Sequence, residues 1–167
     1  MITFIEVKRI AEQKISGFYF SDTDVLSIVD DQIIEKDYAW IFSYSSKKWI
    51  ETNDNDFAIG GNAPLFISKI DGEISTYRTG LSLEAMISEH EEQNQIWLLD
   101  LTEDMFEDVQ KLLAVKKILS LTNERVTDLK TCKILQYGAF QRLLKIKEQL
   151  EQKNVKTNLR FNPIYIP

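Results

Sequence analysis

The stretch Tyr38-Ala39-Trp40-Ile41-Phe42-Ser43-Tyr44 decides the fold, together with Gly60-Gly61-Asn62-Ala63-Pro64-Leu65-Phe66-Ile67 and Ile70-Asp71-Gly72. These residues predict an aromatic strand, a glycine-asparagine-proline turn, and a second strand that ends in an Asp-Gly hairpin. None of them is an obvious nucleophile, metal ligand or phosphate-binding group. The most distinctive part of the sequence therefore indicates a binding surface before it indicates a catalytic centre.

Composition narrows the class of ligand. The 167 residues suffice for one domain or two small ones, and 26 acidic against 20 basic side chains give a net charge of −6. Phosphate contacts need clustered Lys and Arg, so the acidic balance argues against nucleic acid and is compatible with a basic protein partner. The sequence shows neither a signal peptide nor a membrane-spanning apolar run, and Cys132 has no second cysteine to pair with. We expect a cytoplasmic protein with no membrane partner.

Charge is distributed unevenly along the chain. Residues 1–94 carry 17 acidic and 8 basic side chains (8 − 17 = −9), whereas residues 95–167 carry 9 and 12 (12 − 9 = +3). The polar run Glu89–Gln95 lies at this change and is too short and charged for a flexible Gly/Ser linker. The sequence predicts two domains, residues 1–94 and residues 95–167.

The pattern of residues 1–94 predicts one antiparallel sheet covered by two helices. Phe4, Val7, Ala11 and Ile15 share a face of an N-terminal helix that should end near Gly17, and Ser82 is expected to cap a second helix. The predicted strands are Val25–Ile34, Tyr38–Tyr44, Lys47–Glu51, Leu65–Ile70 and Glu73–Arg78.

The motif set of this half resembles the immunity protein 35 family over about residues 1–92. The matching residues are Trp40, Phe42, Tyr44, Gly61, Asn62, Ala63, Pro64, Asp71, Gly72, Thr79 and Gly80. The resemblance implies a protein that neutralises a partner toxin of a bacterial polymorphic toxin system, and some relatives are described as small chaperone-like proteins. It leaves the identity of the toxin open.

Most of these motif residues are expected to hold the backbone in shape. Gly61, Asn62 and Gly72 can adopt left-handed conformations, Pro64 fixes the entry into a strand, and Asp71 favours the hairpin turn. Trp40 and Phe42 alternate with Ala39 and Ile41, so we expect one pair to lie in the core.

The second half predicts a smaller α/β sandwich-like domain, and the chain as a whole an α+β fold. We expect a strand at Ile96–Leu101, a helix capped by Thr102, and Val115–Leu121 as helix or strand; the strand alternative would give a split βαβ unit. Further along, the pattern predicts a short helix at Asp128–Leu135, a longer helix at Phe140–Gln152 and a final strand at Val155–Phe161.

This half resembles the C-terminal domain of the bacterial ribosomal stalk protein. The resemblance rests on Asp128-Leu129-Lys130, Lys133-Ile134-Leu135 and the segment Glu148–Val155, although Asn154 replaces the glycine of the family pattern. It implies a binding surface on the helices and no catalytic residues.

The sequence offers few residues that could carry out catalysis. The chain has one histidine, His90, and one cysteine, Cys132, in different halves, and both are expected to be structural. Asp54-Asn55-Asp56 lacks the glycine and distal glutamate of a calcium loop, and Gly60-Gly61-Asn62 lacks the lysine of a phosphate-binding loop. Carboxylates are plentiful, but no pair stands out as acid and base. We expect no metal, no cofactor and no enzymatic activity.

The leading hypothesis is therefore an immunity protein that binds and blocks a cognate toxin. It places Trp49, Glu51, Asp54 and Asp56 at the contact, because an acidic loop beside an aromatic residue can mask a basic active site. The alternative is a chaperone-like protein that holds client polypeptides and exposes an apolar patch.

Overall fold

The chain has an α+β fold built from antiparallel sheets and helices. A computed structural model describes residues 2–18 and 20–165; Met1, Ile166 and Pro167, at the outer limits of the predicted domains, lie outside the described residues. The chain divides into two compact units, of which the first runs to Met86 and the second begins at Ile87. The predicted boundary after residue 94 lies further along, beyond the helix that crosses this division.

The first unit combines short strands with helices. Its helices are α1 (Phe4–Ser16) and α2 (Lys47–Thr52), and 3₁₀ turns lie at Asp30–Gln32 and Asn55–Phe57. Its strands are β1 (Leu26–Ile28), β2 (Ile34–Glu35), β3 (Ala39–Phe42), β4 (Tyr44–Ser46), β5 (Leu65–Ser68) and β6 (Ile74–Ser75). The N-terminal helix ends at Gly17 as the sequence predicts, and Thr3 and Glu6 form a capping box at its start.

The single sheet predicted for this half is wrong. The strands form a four-stranded sheet in the order β2-β3-β5-β6 and a separate pair, β1-β4. The chain changes pairing partner at Ser43, whose carbonyl oxygen accepts a hydrogen bond from the amide of Val29 (3.0 Å). Strand β3 thus stays in the larger sheet while β4 continues beside β1.

The strand predicted at Lys47–Glu51 is also wrong, because these residues form α2. The Ser46 hydroxyl accepts a hydrogen bond from the Trp49 amide (3.1 Å), which is N-cap geometry. Asn53 closes the helix in a left-handed conformation with φ of 55°. Capping at both ends outweighs the weak strand pattern of a five-residue segment.

The core of the first unit lies between α1 and one face of the larger sheet. Val7, Ala11 and Ile15 of the helix are buried against Phe42, Leu65 and Ile67. Phe4, predicted on the same helix face, is half-exposed, but the centroid of its ring lies 4.7 Å from the ring centroid of Trp40. Phe42 is thus fully buried and Trp40 partly buried against this core, but Ala39 and Ile41 are buried as well, so the expectation that one of the two pairs forms the core is wrong.

The second unit begins within α3 (Leu83–Gln93) and contains a three-stranded sheet. Its other elements are β7 (Trp97–Leu101), α4 (Val109–Ile118), α5 (Asn123–Asp128), β8 (Ile134–Gly138), α6 (Phe140–Glu151) and β9 (Thr157–Phe161). The central strand β7 is antiparallel to both neighbours in the order β8-β7-β9. Strands β8 and β9 are thus parallel and joined by α6, which is a split βαβ unit.

Two predictions for this half are wrong, and one open alternative is decided. Of the helix and strand alternatives for Val115–Leu121, the helix is correct, because α4 continues to Ile118. The helix expected from Thr102 begins only at Val109, where Asp108 caps it; Met105 lies buried in the preceding loop instead. The helix expected at Asp128–Leu135 is replaced by the end of α5 and by β8, whose pairing with β7 outweighs the local pattern.

The polar run after Ile87 belongs to the second unit because its carboxylates hold the start of α6. Ala139 provides no side-chain cap there. Instead, Glu92 accepts the Ala139 amide and Glu91 accepts the Phe140 amide, both at 2.9 Å. Arg142 completes the cluster with its Nε 2.9 Å from Glu92 Oε2. The polar run that the sequence predicts as a domain boundary therefore makes tertiary contacts within the second unit.

Candidate functional site

A pocket of about 230 Å³ lies in the first unit between β4, α2 and the turn that leads into β5. We call it the Trp49 pocket. It is lined by Val29, Gln32, Ser43, Tyr44, Ser45, Trp49, Ile59, Asn62 and Pro64. Four separate segments thus surround one concavity: the connection after β1, the strand β4 with the residue before it, an aromatic residue of α2, and the glycine-asparagine-proline turn.

Trp49 is held in place by the start of α2. The Ser46 hydroxyl, which caps the helix, also donates a hydrogen bond to Asp24 Oδ2. Asp24 Oδ1 accepts the amides of Val25 (2.8 Å) and Lys48 (3.3 Å). The bond from Ser46 holds the pKa of Asp24 below its ordinary value, so the carboxylate stays ionised at neutral pH. These hydrogen bonds of Asp24 fix the direction of α2, and with it the position of Trp49, relative to the strand pair β1-β4.

The turn on the other side of the pocket is tied to the same strand. Asn62 Nδ2 donates a hydrogen bond to the backbone carbonyl of Tyr44. Gly61 has a φ of +79°, a backbone conformation that residues other than glycine rarely adopt. Burial raises the pKa of the Tyr44 phenol, which therefore remains neutral at physiological pH. The motif residue Asn62 thus lines the pocket, and Gly61 provides the turn that places it there.

The predicted acidic residues lie on the connection between two wall residues, Trp49 and Ile59. Glu51, Asp54 and Asp56 are all exposed. Glu51 has Lys47 3.8 Å away, whereas Asp54 and Asp56 have no ion pair with any described residue. Asp54 Oδ1 accepts the Asp56 amide (3.0 Å) and so caps the 3₁₀ turn. The four predicted contact residues therefore belong to one continuous segment, with Trp49 in the pocket.

Two positive side chains accompany this segment. Besides Lys47, the Lys48 ammonium lies over the ring of Phe57, 5.3 Å from its centroid. Phe57 and Ile50 are partly exposed beside the carboxylates. The surface therefore combines apolar and acidic groups, a composition found at protein interfaces.

Asp71 and Gly72, two further motif residues, do not line the pocket and instead stabilise the hairpin. Asp71 Oδ1 accepts the Glu73 amide (3.1 Å), and this bond lowers the pKa of the carboxyl. Gly72 has a φ of +76°, and a Cβ there would approach the Ile2 and Ile10 side chains to 2.9 and 3.0 Å. Turn geometry and close packing therefore account for both residues.

The two residues considered for catalysis are separate. His90 is buried on α3, and burial lowers its pKa to about 4, while Cys132 is exposed. In residues 2–18 and 20–165, no group of three or more His, Cys, Asp or Glu side chains could hold a metal ion. Within the same residues, no helix combines the length and apolarity needed to cross a membrane.

Comparison with known proteins identifies one short similarity. The uncharacterized protein YrhB of Escherichia coli strain K12 is 35% identical to this chain over 52 residues, which are 31% of this chain and 55% of YrhB. The chain thus spans little more than half the length of that curated relative. No protein-family model and no solved structure matches the chain.

Sequence reasoning located Trp49 and its acidic neighbours but missed the groups that surround them. Asp24, Ser45 and Gln32 come from other segments, and no local pattern joins them to Trp49. Ser46 is a residue type favoured at the N-cap, and its place directly before Lys47 is a signal that could have predicted α2. The pocket forms because the chain changes its strand partner at Ser43, and no sequence pattern predicts that change.

Proposed function

We propose that this protein is an immunity protein, which binds a cognate bacterial toxin through the Trp49 pocket and the segment Glu51–Asp56. The observation that carries the proposal is the position of a half-buried tryptophan in a pocket wall directly before exposed carboxylates. Aromatic anchors in pockets commonly supply most of the binding energy of an interface, and the surrounding charges guide association. The resemblance to the immunity protein 35 family supports the same function.

The function needs no catalytic group. A toxin is neutralised when its active site or its substrate surface is covered, and toxin active sites that act on nucleic acid are basic. The first half of the chain has a charge of −9 (8 − 17), which suits a basic partner. We propose the cytoplasm as the compartment in which this binding takes place, with no nucleic acid or membrane as ligand.

A chaperone-like role is the second candidate, and exposed apolar side chains favour it. Ile5 is 80% exposed, Val109 68% and Leu113 58%. Val109 and Leu113 lie four residues apart on α4 and share a face. Such a protein would bind many unfolded clients weakly, whereas an immunity protein binds one folded partner tightly.

Affinity purification from the native bacterium distinguishes the two. The immunity proposal predicts one stoichiometric polypeptide that is toxic when it is expressed without this chain. Many unrelated, substoichiometric polypeptides would contradict it and favour the chaperone role. Absence of any bound polypeptide would contradict both.

Charge variants then test the placement of the contact. Reversal of Asp54 and Asp56 to Lys should weaken binding of the purified partner by about 2 kcal/mol, or about 30-fold, since each rim pair is worth about 0.5 kcal/mol and reversal doubles its effect. The matched control, Glu107→Lys with Glu148→Lys, changes exposed residues of the second unit and reaches the same net charge (−6 + 4 = −2). Equal affinities of the two double variants would contradict the placement.

A further inference from the structure

The size of the Trp49 pocket limits what it can bind. Its volume of about 230 Å³ lies below the roughly 300–1,000 Å³ of pockets that enclose small-molecule ligands and cofactors. A single long side chain from a partner is the type of group that fits this space. The pocket therefore suits a protein contact better than a metabolite.

The polar groups of the pocket determine the chemistry of that side chain. Ser45 is only 7% exposed and lines the pocket, yet its hydroxyl makes no hydrogen bond to a described residue. Asn62 uses its Nδ2 for the Tyr44 carbonyl, which leaves its Oδ1 as an acceptor with no described donor. The pocket thus offers acceptor oxygens to a group that donates hydrogen bonds.

The aromatic and charged surroundings select a cation. Trp49 and Tyr44 line the pocket, and aromatic faces attract ammonium and guanidinium groups. Asp54 and Asp56 follow on the connection to Ile59 without an ion pair among the described residues, while Lys47 and Lys48 are engaged with Glu51 and Phe57. Asp54 and Asp56 do not line the pocket, but they lie on the segment between its wall residues Trp49 and Ile59. Their unpaired negative charge disfavours an anionic side chain in the pocket and favours a lysine or arginine.

We propose that the Trp49 pocket accepts one arginine or lysine side chain of the partner. This inference rests on the proposed function and specifies its chemistry: the toxin presents a basic side chain, which stacks on Trp49 and donates hydrogen bonds to Ser45 and Asn62. Capture of that side chain would occupy a residue that a nucleic-acid-directed toxin needs for its own phosphate contacts.

Short peptides test the pocket without the toxin. Blocked tripeptides Gly-Arg-Gly, Gly-Lys-Gly and Gly-Leu-Gly are titrated into the full chain, and the indole N–H signal of Trp49, assigned with Trp49→Phe, is followed by NMR. The Arg and Lys peptides should shift this signal in a saturable, salt-sensitive manner, and the Leu peptide should not. No shift with the basic peptides, or an equal shift with the Leu peptide, overturns the inference.

Neutral variants add a check that leaves the Trp49 side chain and its indole signal intact. The double variant Asp54→Asn, Asp56→Asn keeps the side-chain oxygen that caps the 3₁₀ turn at position 54. It should lower the affinity for the Arg peptide about fivefold. Glu107→Gln with Glu148→Gln, which makes the same change of charge in the second unit, should have no effect. Equal weakening by both pairs overturns the assignment of the carboxylates to this site.

The two proposals fail in different ways. A toxic polypeptide that copurifies while the basic peptides do not bind contradicts the pocket chemistry alone. Binding of the basic peptides at Trp49 with no copurified polypeptide contradicts the immunity function and the assignment of the cation to a toxin.

Discussion

Burial of His90 makes the second unit sensitive to acid. The side chain is 6% exposed on α3, and burial lowers its pKa from 6.5 to about 4. The folded state therefore binds this proton less readily than the unfolded state does. The stability contributed by neutral His90 is complete above pH 6.5 and is lost as the pH falls toward 4.

The magnitude follows from the two pKa values. Between pH 7 and pH 5 the unfolded histidine becomes protonated while the folded one remains mostly neutral, which lowers the free energy of unfolding by about 2 kcal/mol. The loss reaches about 3 kcal/mol at pH 4, where carboxylates also titrate. The interval from pH 7 to 5 is therefore the cleaner one for measurement.

Urea denaturation of the full chain at pH 7 and pH 5 measures this difference. The control is His90→Gln, which is destabilised at both pH values but cannot be protonated. The wild-type chain should lose about 2 kcal/mol more than the variant over this interval. Equal losses in the two proteins would refute the assignment of this acid sensitivity to His90.

Three other substitutions test contacts that shape the fold. Glu92→Ala should lower the free energy of unfolding by about 1–3 kcal/mol in urea denaturation, because the Ala139 amide at the start of α6 loses its acceptor. Gly138→Ala should lower it by at least about 2 kcal/mol in the same assay, since φ is +146° and a Cβ would overlap the Glu92 and Arg142 side chains. Asn62→Ala should cost about 1–2 kcal/mol and lower the melting temperature, because the Tyr44 carbonyl loses its donor.

Matched variants separate these effects from general damage. Glu89→Ala removes the same charge from the same helix, but Glu89 bonds to Gln93, so the change should be below about 0.5 kcal/mol. Gly60→Ala meets no atom within 4 Å and should be nearly neutral. If Glu89→Ala and Glu92→Ala destabilise equally, the capping role of Glu92 is wrong. If Gly60→Ala matches Gly138→Ala, the strain argument is wrong.

Local patterns predicted the elements that carry strong local signals. The apolar spacing of Val7, Ala11 and Ile15 and the cap at Thr3 located α1, and the same kind of spacing located α6. Alternation around Trp40 and the Asp71-Gly72 turn located β3 and the hairpin that follows β5. In each case the local preference and the tertiary environment agree.

Errors arose where tertiary contacts decide between weak local preferences. Lys47–Glu51 forms a helix because Ser46 caps it, and Ile134–Gly138 forms a strand because β7 offers it a partner. The polar residues Glu91 and Glu92 resemble a domain boundary in the sequence, but their carboxylates accept hydrogen bonds from amides 49 and 47 positions away, respectively. Such contacts between distant residues leave no periodic pattern in the sequence.

The candidate site was predictable only in part. The juxtaposition of Trp49 with Asp54 and Asp56 is visible in the sequence, since these residues belong to one segment. The pocket also needs Ser45 and Asn62, which meet because the chain changes sheets and then turns back. Its acceptor groups and its volume therefore emerge only from the fold.

Growth of cells tests the central claim most directly. The polypeptide that copurifies with this chain is expressed alone, with the wild-type chain, and with the Asp54→Lys, Asp56→Lys variant. The account predicts growth arrest by the polypeptide alone, full growth with the wild-type chain, and loss of protection at low expression of the variant. Continued arrest in the presence of the wild-type chain would contradict the immunity function.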